Sequence, residues 1–138
     1  MRVTVIDGRG GGIGRAIVGK LRQVFGEEIT IIALGTNALA ASVMLKAGAN
    51  KGASGENAIM VNARKAELIM GTIGIISASS MMGELTPAMA RAIAESPARK
   101  ILIPLNQYNI QIAGAKSMPL PHYVDEAIEL VKYYLRGE

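Results

Sequence analysis

The sequence predicts an α/β domain, a three-layer sandwich whose mostly parallel sheet of about five strands carries helices on both faces. Three observations lead there. Short β-branched apolar runs alternate with longer segments in which apolar residues recur at helical spacing. The run ITIIAL (residues 29–34) is apolar on both faces, as a strand covered from two sides must be. A dense glycine cluster, GRGGGIG (residues 8–14), links the first strand to the first helix, with five glycines in seven residues.

The elements follow in order. RVTVI (residues 2–6) reads as a strand ending at Asp7. Ile13, Ile17, Leu21 and Val24 mark one face of a helix that Gly26 closes. After the second strand, Asn37 is placed to cap a helix that Gly48 ends. NKGASGEN reads as a turn before a short helix over residues 57–65. ELIMGTIGIISASS supplies a third strand, ending either at Met70 or at Ile76. Thr86 caps a helix with Pro87 in the tolerant first turn, and Ser96-Pro97 stops it. KILIPLN is a fourth strand whose regular pairing should finish at Pro104. YNIQIAG (residues 108–114) alternates apolar and polar, as a fifth strand with one exposed face would. Val124, Ala127, Ile128, Val131 and Leu135 form the apolar stripe of the last helix. Asp125 and Glu126 lie early in it and Lys132 and Arg136 late, complementing the helix dipole. No repeat or linker interrupts residues 1–138, so one domain is expected. With right-handed crossovers the arrangement is Rossmann-like. Its functional crevice should then open at the carboxyl ends of the strands, where Asp7, Asn37, the serines after the third strand and Asn106 gather.

Composition narrows the function classes. Half of the 138 residues are hydrophobic but only 4% are aromatic, so the core must be built from Ile, Leu, Val, Ala and the 8 Met. No stretch approaches the roughly 20 apolar residues of a membrane span. A single Arg followed at once by a strand and Asp7 does not make a signal peptide. The absence of Cys excludes thiolate chemistry and fits a cytoplasmic location. The net charge of +4 is carried by scattered Lys and Arg without aromatic interleaving. That disfavours a nucleic-acid partner and suits a small anionic ligand.

The glycine loop carries the main functional signal. A GxGxxG pattern does not fit, because counting from Gly8 or Gly10 puts Ile13 or Arg15 where the third glycine belongs. The spacing that fits is Gly8-x-x-x-Gly12-Ile13-Gly14, followed by Arg15-Ala16-Ile17. This resembles the TGxxxGIG cofactor loop of the short-chain dehydrogenases/reductases, with Asp7 where that family usually has Thr. The resemblance implies a phosphate-binding loop, and physical chemistry gives the same reading. Missing Cβ atoms let backbone N–H groups approach a phosphate, and the helix beginning near Ile13 presents its positive end to it. The alternative is a tight turn and nothing more, for which one or two glycines would suffice.

The resemblance covers about the first 25 residues and then breaks. That family's catalytic Tyr-x-x-x-Lys is absent: four positions after Tyr108, Tyr123, Tyr133 and Tyr134 stand Ile112, Ala127, Gly137 and Glu138. No acidic residue closes the second strand to hold ribose hydroxyls; Gly35, Thr36 and Asn37 stand there. Hydride transfer by that family's mechanism is not supported. Over nearly the whole chain, the blocks DGRGGGIG, GTNALA, KAGANKGASGENAI, GELTPAMARAI and KILIPLN are similar to a family of short bacterial proteins known only as a domain of unknown function. That resemblance implies a bacterial single-domain protein and supplies no activity.

Other candidates are weaker. Ser54 and Glu56 suit helix capping or a ligand-facing loop. Ser77, Ser79 and Ser80 suit anion binding through hydroxyls or ordinary turn formation. Asn106 and Gln107 end the fourth strand, where amides read a ribose or a base or satisfy loop backbone. His122, the only histidine, lacks the company a metal would need.

The leading expectation is a nucleotide- or dinucleotide-binding domain, with NAD, NADP or another nucleotide as ligand. Gly8, Arg9, Gly10, Gly11, Gly12, Ile13 and Gly14 would surround the phosphates. Asp7 and Asn37 would contact sugar or base, with Ser79 and Asn106 in support. The rival readings are a structural or regulatory homo-oligomer and an enzyme acting on a small phosphorylated metabolite. No catalytic residue can be assigned. A homodimer is expected from Met81, Met82 and Met89 around an Ala-rich helix and from the exposed edge of YNIQIAG.

Overall fold

In the computed structural model, which describes residues 1–105 and 109–137, the apolar runs form strands and the amphipathic segments cover them. The chain runs β1 (Arg2–Asp7), α1 (Gly12–Phe25), β2 (Thr30–Gly35), α2 (Ala38–Ala47), β3 (Lys51–Ser54), α3 (Glu56–Lys65), β4 (Leu68–Thr72), α4 (Pro87–Glu95), β5 (Arg99–Ile103) and α5 (Leu120–Arg136). Among the described residues the strands form one all-parallel sheet in the order β3-β2-β1-β4-β5. Val5 of β1 sits opposite Ala33 of β2 on one side and Met70 of β4 on the other. Strand order therefore reverses between β1 and β4, and the crevice of an open α/β sheet belongs at that point.

Capping sets the helix starts. The Asn37 Oδ1 accepts the Ala40 N–H at 2.8 Å. The Thr86 Oγ1 accepts the Met89 N–H at 3.2 Å, with Pro87 in the first turn. Two cores result. Ile17, Leu21, Met44, Val124 and Val131 of α1, α2 and α5 pack on one face of the sheet against Val3, Val5, Ile31 and Met70. Ile59, Ala63, Met89 and Ile93 of α3 and α4 pack on the other against Ile6, Leu34 and Ile69. This is the Rossmann-like three-layer sandwich that the alternation of elements implies.

Three expectations need correction. NKGASGEN is not a turn, because Lys51–Ser54 pairs with residues 32–35 of β2 as an edge strand. Its side chains are mostly exposed, so it lacks the apolar run that marks a covered strand. YNIQIAG is not a strand over its described residues 109–114. Ile112 and its neighbours are exposed, so the alternation has no face to bury, and Asn109 has a left-handed φ of 58°. Tyr108, Asn106 and Gln107 lie outside the described residues. The methionine face proposed for subunit contact is also not there: Met81 and Met89 are in the core, and of the three only Met82 is exposed. The third strand stops at Thr72, between its two predicted ends. A 3₁₀ turn follows, in which the Thr72 Oγ1 accepts the Gly74 N–H at 3.1 Å. No helix among the described residues is long and apolar enough to cross a membrane.

Candidate functional site

The glycines between β1 and α1 fall into two groups. A Cβ at Gly8 would lie 2.5 Å from the Thr36 Oγ1 and 2.6 Å from the Met81 Sδ. At Gly14 it would lie 2.5 Å from the Met44 Sδ and 2.9 Å from the Asp7 Cβ. Gly11 has a φ of +73° and sits against the Ala40 backbone, while its N–H closes the turn on the Gly8 carbonyl at 2.9 Å. These three are required by the fold. Gly10 and Gly12 are different, because a Cβ on either would meet nothing within 4 Å among the described residues.

Two carboxylates already occupy part of the loop. The Asp7 Oδ1 accepts the Gly8 N–H and its Oδ2 the Gly14 N–H, both at 2.7 Å. Burial pushes the Asp7 carboxyl above its ordinary range. The N–H groups of Gly14, Gly8 and Ile13 oppose that shift, and the nearby Glu84 charge adds to it. The Asp7 carboxyl oxygens thus already take N–H groups at the start of α1. The second carboxylate is Glu84. Its Oε1 accepts the Arg9 N–H at 2.9 Å, the Thr36 hydroxyl at 2.7 Å and the Asn37 amide at 2.8 Å. The Arg9 N–H, then the Thr36 and Asn37 donors, hold the Glu84 carboxyl below its ordinary range.

Above the loop lies a crevice of about 540 Å³, lined by residues 7–13 with Arg15, Thr72, Met81 and Leu120. It opens at the carboxyl ends of β1 and β4, where the strand order reverses. A slightly larger depression of about 600 Å³ lies between α3 and α4, walled by Met60, Ala88, Arg64 and Arg91. It contains none of the predicted site residues, and strand topology gives no reason for a ligand there.

Of the predicted residues, Asp7, Gly8, Arg9, Gly10, Gly11, Gly12 and Ile13 line the crevice together, and Gly14 lies beneath them, held to Asp7. Asp7 braces the loop with its carboxylate. Asn37 caps α2, and its amide is committed to Glu84 and to the Arg9 carbonyl at 3.0 Å. Ser79 is exposed and is not among the crevice walls. Asn106 lies outside the described residues. Glu56 ties α3 to α4 by accepting the Thr86 hydroxyl at 2.6 Å.

Sequence reasoning missed Thr72, Leu120 and the inward packing of Met81. Thr72 and Met81 become visible only once β4 is known to lie beside β1, and Leu120 only once α5 is known to pack against α1. Among the described residues, no group of three or more His, Cys, Asp or Glu side chains is placed to hold a metal ion.

An all-parallel sheet with a glycine-rich first crossover at its switch point defines a Rossmann-like domain. The sequence matches the family model described as a domain of unknown function (DUF3842) over residues 2–136, and the chain belongs to that family. No curated protein matches it. Among solved structures, a universal stress protein in complex with cAMP is similar at 20% identity with a TM-score of 0.41. The match covers 73% of this chain and 95% of that one.

Proposed function

We propose that this protein binds a small phosphate-bearing ligand, a nucleotide, in the crevice between β1 and β4. The observation that carries the reading is the pair Gly10 and Gly12. Glycine costs roughly 0.5–1 kcal/mol relative to alanine in ordered structure. The three other loop glycines have a steric or backbone reason for that cost, and these two have none within the fold. Openness alone is not a signal, since Gly19 in mid-α1 also faces open space. What separates Gly10 and Gly12 is that both line the crevice and their N–H groups have no acceptor among the described residues.

The phosphate would rest on those two N–H groups. Gly8, Ile13 and Gly14, which the motif would also have offered, are held by Asp7. The Arg9 and Arg15 side chains supply positive charge at the rim, and Met81 and Leu120 supply apolar wall. The volume falls within the roughly 300–1,000 Å³ typical of small-molecule sites. A homodimer is proposed on separate ground: Leu130 and Tyr133 leave apolar surface exposed on α5.

A thermal-shift screen with AMP, ATP, NAD, NADP, FAD and inorganic phosphate tests the ligand reading. A ligand at 100 times its dissociation constant adds about 2.7 kcal/mol. A domain of this size moves roughly 3–4 °C per kcal/mol, so a shift of about 9 °C is expected. No shift with any of these ligands would contradict the proposal.

A further inference from the structure

The segment between the 3₁₀ turn and α4 folds over the β2 side of the glycine loop. Ser79, Met81 and Met82 hold left-handed backbone, with φ of 64°, 58° and 57°. Residues with side chains avoid that region, so a run of them persists only where surrounding contacts enforce it. The contacts are present. The Ser79 N–H donates to the Leu85 carbonyl at 2.8 Å, and the Ser80 hydroxyl donates to the Gly74 carbonyl at 2.6 Å. Leu85 is fully buried in the core beneath, and the Met81 side chain presses on Gly8. Glu84 completes the closure through its three bonds to Arg9, Thr36 and Asn37.

In dinucleotide-binding domains of this architecture, one ribose is held at the end of the second strand. Here that place is taken. The Thr36 hydroxyl and Asn37 amide, which follow β2, are committed to Glu84, and Met81 covers the start of the glycine loop. The open volume instead lies toward β4, with Thr72 and Leu120 on its walls. We infer that residues 79–85, latched by Glu84, close the β2 half of the crevice, so that the site admits a mononucleotide or smaller phosphate ester and excludes a dinucleotide. This rests on the ligand reading above and narrows its ligand class.

Calorimetric titration of the full chain with AMP and with NAD tests it. The wild type should bind AMP and bind NAD at least about tenfold more weakly. Glu84→Ala, which removes all three latch bonds, should strengthen NAD by about tenfold and leave AMP within about threefold. Glu84→Gln keeps an amide oxygen for the same donors and should behave as wild type. NAD binding to the wild type as tightly as AMP, or an unchanged ratio in Glu84→Ala, would overturn the inference. Should Glu84→Ala not fold, Thr36→Val removes one latch bond and should move the ratio in the same direction. Amide hydrogen exchange in the ligand-free protein separates the two readings. If neither compound binds, the ligand reading fails, yet faster exchange at Arg9 in Glu84→Ala still supports the latch, and unchanged exchange there overturns it.

Discussion

Replacing Gly12 with Val separates the demands of the fold from those of a ligand. Gly12 is exposed, is the first residue of α1, and beyond its chain neighbours and its own helix backbone nothing described lies within 4 Å of where its Cβ would stand. Val is slightly favoured over Gly in a helix, so ligand-free stability should change by no more than about 0.5 kcal/mol. That is a melting shift within about 2 °C. The isopropyl group would project into the crevice and block approach to the Gly10 and Gly12 N–H groups. The ligand-induced shift of about 9 °C expected for the wild type should therefore vanish. Gly14→Val is the control. Its Cβ would stand 2.5 Å from the Met44 Sδ and 2.9 Å from the Asp7 Cβ. Overpacking of that kind costs about 1–3 kcal/mol, a drop of roughly 3–10 °C with or without ligand. Paired melting curves of the two variants decide the matter. The reasoning is refuted if Gly12→Val loses as much stability as Gly14→Val, or if it keeps the full ligand shift.

Arg15→Glu should weaken AMP binding more at low salt than at high salt, because an exposed charge acts within a Debye length of about 10 Å at 0.1 M; equal loss at both would remove Arg15 from the site. Asp7, with its carboxyl raised in the folded state, contributes stability that is present below its unfolded value of 3.8 and lost as pH rises through the folded one. Asp7→Asn should therefore steepen acid unfolding in that window. At neutral pH it should cost about 1–3 kcal/mol, since an amide cannot accept both the Gly8 and Gly14 N–H bonds. Urea melts across pH would show both effects, and a parallel acid limb would contradict the assignment. Light scattering at micromolar concentration should give a mass near twice 14.5 kDa, and a mass near 14.5 kDa would sink the homodimer.

The helices and central strands were legible because each carries its own signal. Asn37, Thr86 and Pro87 mark helix starts, and the unbroken apolar run of residues 31–34 could not be other than covered. β3 was invisible because an edge strand of four residues is held by β2's backbone rather than by its own apolar pattern. YNIQIAG misled because period-two alternation signals a strand only when one face has something to cover it.

At the site, the sequence located the loop but could not apportion its glycines. The packing of Met44 on Gly14 and of Met81 on Gly8 joins residues far apart in the chain. The acid missing from the end of β2 was missed for the same reason. A carboxylate does stand there, but Glu84 brings it from the other side of β1, by way of the loop that follows β4.

The most direct test of the ligand site is an NMR titration of the ¹⁵N-labelled protein with AMP. Saturable shifts of the Gly10, Gly12 and Arg15 amides, with little change between α3 and α4, are the expected result. Absence of saturable shifts, or shifts confined to the surroundings of Arg64 and Arg91, would contradict it.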